Sequence, residues 1–480
     1  MSPLIPAIAS ADYQLLPKFT HKFKWSMPMT NAANQINQSS ILFPKMPREY
    51  PLVGYAPALL GDPISFLDSI GRLGNSHFEF SLFGKPMFVA TSKDQFNECL
   101  LVKSKDFGFP DLYKNMATVI GNGITATPDG PYWKKKRLLL QPRFGQRSIE
   151  SFLKHFVTIA KSNALKIKSN QATPMSVHQL AMDSALKSLF SCLFSKTFDQ
   201  PNVFEDFRDI SAIVGKRFWM PNFIMTSKLS PSGRRLSKHI SMLDDLAYSV
   251  IDERIANKEE APEDFLSFLL NSKEPGTENA LTHEQIRDEL INFIFAGYET
   301  TACLLSWALI LLSRHQDYLS LARAEALRIG ELNSFADFEQ CKMIKAILSE
   351  TLRLYPPVWV MIRQAMVDSE ICGTKVKKGS NVLLSPYLLQ RQESAWTNAN
   401  EFNPSRFLTD GTHKAGAYYP FGHGPRHCLG NHFAMSEAIA FVFYIVRDFD
   451  IDPVAKLPAP QALITLQPPM DTKIHFHALS

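Results

Sequence analysis

The densest apolar stretch of the chain is "INFIFAGYETTACLLSWALILL", Ile291 to Leu312, apolar on nearly every side of a helix. The preceding "THEQ" has the form of a capping box, with Thr282 at the cap and Gln285 three residues on. About twenty apolar residues are enough to cross a bilayer. The middle of this run, however, holds Gly297, Glu299, Thr300 and Thr301, and a carboxylate facing lipid costs several kcal/mol. The pattern therefore predicts a helix buried at the centre of a large protein, and no transmembrane segment.

Elsewhere the periodicity is more ordinary. "HFEFSLFGKPMFVATS" alternates about a glycine and predicts a β-hairpin, and "TKVKKGSNVLLSP" predicts a second small one. Proline-rich Phe43 to Pro63 predicts an extended segment lying over a surface. Helical periods dominate from about residue 130 to 370. In "MIKAILSETLRL", Met343, Ile344, Ile347 and Leu348 mark a buried side, while Glu350 and Arg353, three apart, share a face. No repeat and no glycine-serine linker divides the chain. The prediction is a mainly α fold of the α+β kind: an irregular extension over 1–45, then a single domain over 46–480.

Composition changes this picture little. Hydrophobic residues make up 45% and charged residues 20%, ordinary for a globular protein. The net charge is +5, from 51 basic and 46 acidic residues, with no basic-aromatic stripe that would suggest nucleic acid. "PLIPAIASA" is too short to span a membrane. The first 45 residues hold one acid, Asp12, beside Lys18, Lys22, Lys24 and Lys45, but no arginine, so organelle targeting is not the favoured reading. Six scattered cysteines, without CxxC or CxxCH, exclude a disulfide framework, a zinc ribbon and covalently attached haem, and point to a reducing cytoplasm.

One cysteine stands apart. "YYPFGHGPRHCLGNHFAMSEA" packs three glycines, two prolines and three histidines around Cys428, then turns into a helical apolar pattern. A thiol at a helix amino terminus is favoured as thiolate by free N–H groups and the dipole. Zinc at Cys428 would need a second Cys/His ligand pair from another segment, and none is expected. A cysteine nucleophile would need a base that no separate motif supplies. Axial ligation of haem iron is the third reading, in which the thiolate favours O–O cleavage.

"FGHGPRHCLG" resembles the FxxGxRxCxG signature of the cytochrome P450 haem-thiolate monooxygenases, with Phe421, Gly424, Arg426, Cys428 and Gly430 in its defining places. "AGYETT" is similar to the family's oxygen-activation motif, "ETLRLYPP" to its ExxR helix, "FNPSRF" to its PxRF element, and "DGPYWKKKRLLLQPRF" to its WxxxR helix. The likeness runs from about residue 45 to 480, and five motifs in order are specific. One departure is Ser405, where the family more often has glutamate.

The resemblance implies the P450 fold, with a large helical lobe around the long distal helix and a small β-rich lobe. It implies haem b, with Cys428 as the iron ligand and Trp133, Arg137, Arg363 and Arg426 about the propionates. It implies that Ala296 and Gly297 leave room for dioxygen beside an acid–alcohol pair, Glu299 and Thr300, and that Glu350, Arg353 and Arg406 form a structural network. Phe109, Tyr113, Met116, Phe218, Phe295, Val358, Trp359, Met361 and Ile464 would line the pocket, which suits a hydrophobic or aromatic substrate. The implied activity is insertion of one atom of dioxygen, in a cytoplasmic, bacterial-like monomer. Electrons would come from a separate ferredoxin or flavodoxin with its reductase, drawn to Lys134, Lys135 and Lys136. Oxidative phenol or aryl coupling, peroxygenase activity and a non-enzymatic haem sensor remain open alternatives.

Overall fold

The computed structural model describes residues 49–479, apart from 74–76, 198–200, 222–226 and 410–416. The proposed extension over 1–45 lies outside the described residues. From residue 49 onward the described chain belongs to one compact unit. It is mainly helical, and its largest sheet has only five strands.

At its centre runs a 32-residue helix, His283–Arg314, about 48 Å long at the α-helical rise. The expected capping box starts it: the Gln285 amide donates to the Thr282 hydroxyl at 3.2 Å, and the Thr282 amide to the Gln285 side-chain oxygen at 2.8 Å. This helix is long and apolar enough to cross a membrane, but most of its apolar window is covered by protein. It packs against Val177–Phe194, the helix Asn431–Asp448 that follows Cys428 (the cysteine helix), and the Glu350-bearing helix Lys342–Leu354.

The first hairpin forms as expected, His77–Leu82 against Lys85–Ala90, with Phe80 opposite Met87. The second does not. Thr374–Val376 pairs back onto Ser369–Ile371, while Asn381–Leu384 runs parallel to Lys85–Ala90 and antiparallel to Met361–Ala365. All four residues of Asn381–Leu384 are buried, so this short apolar run is an interior strand rather than a half-wet hairpin arm. The proline-rich start is corrected too. It contains the helix Ala56–Gly61 and the first turn of Pro63–Arg72, the latter capped by the Asp62 carboxylate on the Ser65 amide. Proline breaks a helix interior but suits its first turn, and both helices use it there.

Candidate active site

The glycine-rich segment folds into a tight loop ahead of the cysteine helix. The Cys428 amide donates to the Phe421 carbonyl at 3.0 Å. Gly424 has φ near +72°, and a β-carbon there would lie 2.0 Å from the Leu100 carbonyl oxygen, so only glycine lets the loop come this close. Cys428 is exposed, although the surrounding protein desolvates its sulfur. Burial pushes the thiol up, while the Gly430 N–H and the nearby Arg137 guanidinium oppose this by favouring the thiolate.

Behind the loop lies a fully satisfied charge network. Arg353 donates to both Glu350 carboxylate oxygens, at 2.7 and 2.8 Å, and to the carbonyls of Gln390, Ala399 and Glu401. Arg406 reaches Glu350 at 3.2 Å and also the carbonyls of Thr397 and Asn398. Gln390 donates to the carbonyls of Leu352 and Arg353 and accepts from the Tyr419 amide at 2.8 Å. The helix Lys342–Leu354 thereby fixes the chain just ahead of the cysteine loop.

The central helix opens at one place. Ala296 is exposed, and Phe295, Gly297 and Thr300 are half-buried, while Tyr298, Glu299 and Thr301 are buried. Ala296 and Thr300 are one turn apart and so share a face. Gly297 has a different part from the one expected. A β-carbon on it would meet the Leu189 side chain at 2.9 Å, so its smallness serves close packing against Val177–Phe194. The helix also stays α-helical throughout. Thr300 donates back to the Ala296 carbonyl at 2.7 Å, an ordinary arrangement for threonine within a helix.

Glu299 and Thr300, expected as a pair, point to different partners because successive helical residues diverge by about 100°. Glu299 is bound by the hydroxyls of Ser211, at 2.5 Å, and Thr465, at 2.6 Å. Burial pushes its carboxyl up, against the favourable effect of these two hydroxyls. Ser211 also meets the Tyr298 hydroxyl at 3.0 Å.

Three arginines gather near the loop. Arg137 donates to the His427 carbonyl at 2.7 Å. Arg426 stacks over the Trp133 ring at 4.3 Å, bonds the Thr127 carbonyl and pairs with Asp129 at 2.8 Å. Arg363 lies close enough to Arg426 for the two cations to repel, and donates to the Ile362 carbonyl. Among the described residues, Arg137 and Arg363 have no carboxylate partner.

The expected pocket residues form a connected aromatic run. Arg426 lies over Phe109, and Phe109 meets Tyr113, Tyr113 meets Phe218, and Phe218 meets Trp219, with the ring pairs 5.3 to 5.8 Å apart. Phe109, Tyr113, Met116, Phe218, Phe295 and Ile464 are half-buried, and Val358 is 40% exposed. Trp359 is a correction: at 1% exposed, with its indole N–H on the Leu463 carbonyl, it belongs to the core behind the wall. Met361 is also buried, its sulfur packed near Gly422 of the loop.

The cytochrome P450 family model matches residues 44–476. The chain belongs to the cytochrome P450 family. Among curated relatives, it is 26% identical to cyclooctatin synthase of Streptomyces melanosporofaciens, covering 88% of this chain and 93% of that one. It is 28% identical to cytochrome P450 72A15 of Arabidopsis thaliana, covering 88% and 85%. The crystal structure of the cytochrome P450DA haem domain superposes with a TM-score of 0.81 at 25% identity, covering 90% of this chain and 97% of that one. The fold is thus the P450 fold, and the protein is an oxidoreductase of the monooxygenase class.

The residues of this P450 fit the family's haem. An accessible thiol sits beside cations that lack an acidic counterpart, which matches a group bearing one metal and two carboxylates. Sequence reasoning missed what holds the tryptophan helix, Pro131–Leu140, in place. Lys136, expected on the surface, is buried against Glu289 of the central helix at 2.5 Å and donates to the Asn122 carbonyl. Asp288, Glu289 and Asn292 accept from the amides of Asn122, Ile124 and Thr125, clamping the loop that leads into Pro131–Leu140. The signal for this was the polar "RDEL" at the head of an otherwise apolar helix.

Proposed function

We propose that this P450 binds haem b through the Cys428 thiolate and inserts one atom of dioxygen into a hydrophobic or aromatic substrate. Electrons would come from a separate ferredoxin or flavodoxin with its reductase, in a reducing compartment such as a bacterial-like cytoplasm. The observation that carries this reading is the accessible Cys428 beside a Gly430 N–H donor and two arginines without carboxylates. When bound, thiolate-ligated haem supplies dioxygen activation and O–O cleavage. The protein's own groups do the rest. Arg137, Arg363 and Arg426 would hold the propionates, with Trp133 stacked under Arg426. Gly430 and Arg137 favour the thiolate form of the sulfur, against the effect of burial.

On the distal side, Ala296 leaves space, and burial holds the Glu299 carboxyl above its usual range, which favours its protonated form. Glu299 would serve as the proton source and Thr300 as the last donor once its hydroxyl leaves the Ala296 carbonyl, with water bridging the two side chains, which are not joined at rest. Phe109, Tyr113, Met116, Phe218, Phe295, Val358 and Ile464 give an apolar substrate its surface and exclude water.

The ferrous carbonyl spectrum of purified protein tests the central claim. Wild type should absorb at the red-shifted position of thiolate ligation, and Cys428→His should lose that band. A Cys428→His protein that keeps it would overturn the assignment.

A further inference from the structure

Far along the sequence from the cysteine loop, the last strand brings together groups that no haem chemistry uses. Phe476–Ala478 pairs antiparallel with Phe449–Ile451, the strand that directly follows the cysteine helix. His475 and His477 are two apart and so project from the same face. Asp452, at the end of the opposite strand, meets both: its carboxylate is 3.0 Å from His477 Nε2 and 3.7 Å from His475 Nδ1. The three donor atoms all lie within 4.8 Å of one another, and all three side chains reach solvent.

The orientation of His475 suits a ligand set. Its Nε2 lies 2.6 Å from the Gln171 carbonyl, which can only accept, so Nε2 carries the hydrogen. In the neutral ring, Nδ1 then turns a lone pair toward the Asp452 carboxylate, and two acceptors face each other. A proton on Nδ1 or a metal cation between them resolves this, and a second imidazole, His477, on the same carboxylate gives the metal a third ligand. A histidine whose far nitrogen donates to a backbone carbonyl is the usual posture of a metal-bound imidazole.

We propose that Asp452, His475 and His477 bind a divalent transition-metal ion of the zinc class. Two imidazoles and one carboxylate suit zinc, cobalt, nickel or copper rather than magnesium or calcium, which prefer all-oxygen shells. Water completes the coordination on the open side. The separations of 3.0 and 3.7 Å bracket those of ligands placed about 2.0–2.2 Å from a tetrahedral ion. The ion cross-links the carboxy-terminal strand to the strand leaving the cysteine helix.

The test is zinc titration of the haem-loaded protein, stripped with a chelator and read by competition with a fluorescent zinc indicator. Wild type should bind one zinc per chain, unaffected by a large excess of magnesium. His477→Ala and Asp452→Asn should each weaken binding about tenfold or more. The latter keeps the side chain's size, so a folding defect in one variant leaves the other informative. An unchanged ferrous carbonyl band shows that Cys428 stays with the haem. Cys372→Ser should retain the zinc, because the exposed Cys372 thiol is the competing ligand. X-ray absorption at the zinc edge should show nitrogen and oxygen neighbours and no sulfur. No zinc bound, equal binding by both site variants, or loss of zinc in Cys372→Ser would each overturn the proposal.

Discussion

Glu350 and Glu437 are the same amino acid, buried to the same depth in two helices that pack together, and they have opposite effects on the fold. Glu350 is 0% exposed and takes hydrogen bonds from Arg353, Arg406 and the Asn403 amide. Glu437 is 3% exposed, and neither of its carboxylate oxygens has a well-aligned hydrogen-bond partner. Burial pushes its carboxyl up to about 8, and the nearby Ser188 hydroxyl offsets this only in part. A buried acid with cations is an anchor that fails when one member is removed. A buried acid without them stays neutral, and is a liability once the solution becomes alkaline.

The largest effect should follow from breaking the anchor. Glu350→Ala strands two guanidinium groups, one of them wholly buried, and should cost about 3–5 kcal/mol. Because the same network positions Tyr419 through Gln390, haem loading should fall with stability. Urea unfolding together with haem content per chain measures both. A stable variant with full haem would show that the network does not hold the loop.

The second glutamate should respond with the opposite sign. An unfolded Glu437 ionises near 4.5, whereas the folded one keeps its proton to about 8. Between those values the native state holds a proton that the unfolded chain has lost, so this group's stabilising contribution declines as pH rises and is gone above 8. Glu437→Gln should therefore match wild type near pH 4.5 and exceed it by up to a few kcal/mol near pH 9. Unfolding curves at the two pH values check this, and an equal difference at both would refute it.

The arginine cluster lies between these extremes, since Arg137 and Arg363 are held by carbonyls but not neutralised. Arg363→Gln should leave the apo-protein's stability nearly unchanged. If Arg363 pairs with a propionate, losing that charged hydrogen bond should cost the complex about 1.5–3 kcal/mol. Haem transfer to an acceptor globin should then be at least about tenfold faster. An unchanged rate would remove Arg363 from the haem site.

These contrasts show which parts of the molecule the sequence could reveal. The central helix, its capping box and the Glu350–Arg353 pair are local, carried by periodicity and an i,i+3 spacing. The clamp of Asp288, Glu289 and Asn292 on the loop at 122–125 joins positions more than 160 apart, which no local pattern encodes. Trp359 was misplaced because an apolar ring suits a pocket wall and a core equally well. The Thr300 back-bond was also hidden, since a mid-helix hydroxyl has two choices and the sequence does not say which it takes.

The smallest effect concerns "WKKKR", where the structure divides three lysines by role. Lys136 is buried on Glu289, so changing it would release the loop ahead of Pro131–Leu140, a fold effect. Lys134 and Lys135 remain exposed, on a helix whose Arg137 touches the cysteine loop at His427. Exposed charges are individually weak, yet if electrons enter beside the cysteine loop, this pair would steer an acidic partner over roughly the 10 Å Debye length at 0.1 M salt. Lys134→Glu with Lys135→Glu should slow first-electron transfer from an acidic ferredoxin about two- to fivefold at low ionic strength. Wild type and variant should converge as salt rises, because screening removes what the charges add. Haem content and the carbonyl band should not change, since neither side chain contributes to the buried clamp. Stopped-flow reduction at two salt concentrations separates the cases. Equal rates in low salt would place the docking surface elsewhere, whereas a deficit that persists in high salt would mean that the helix itself had shifted.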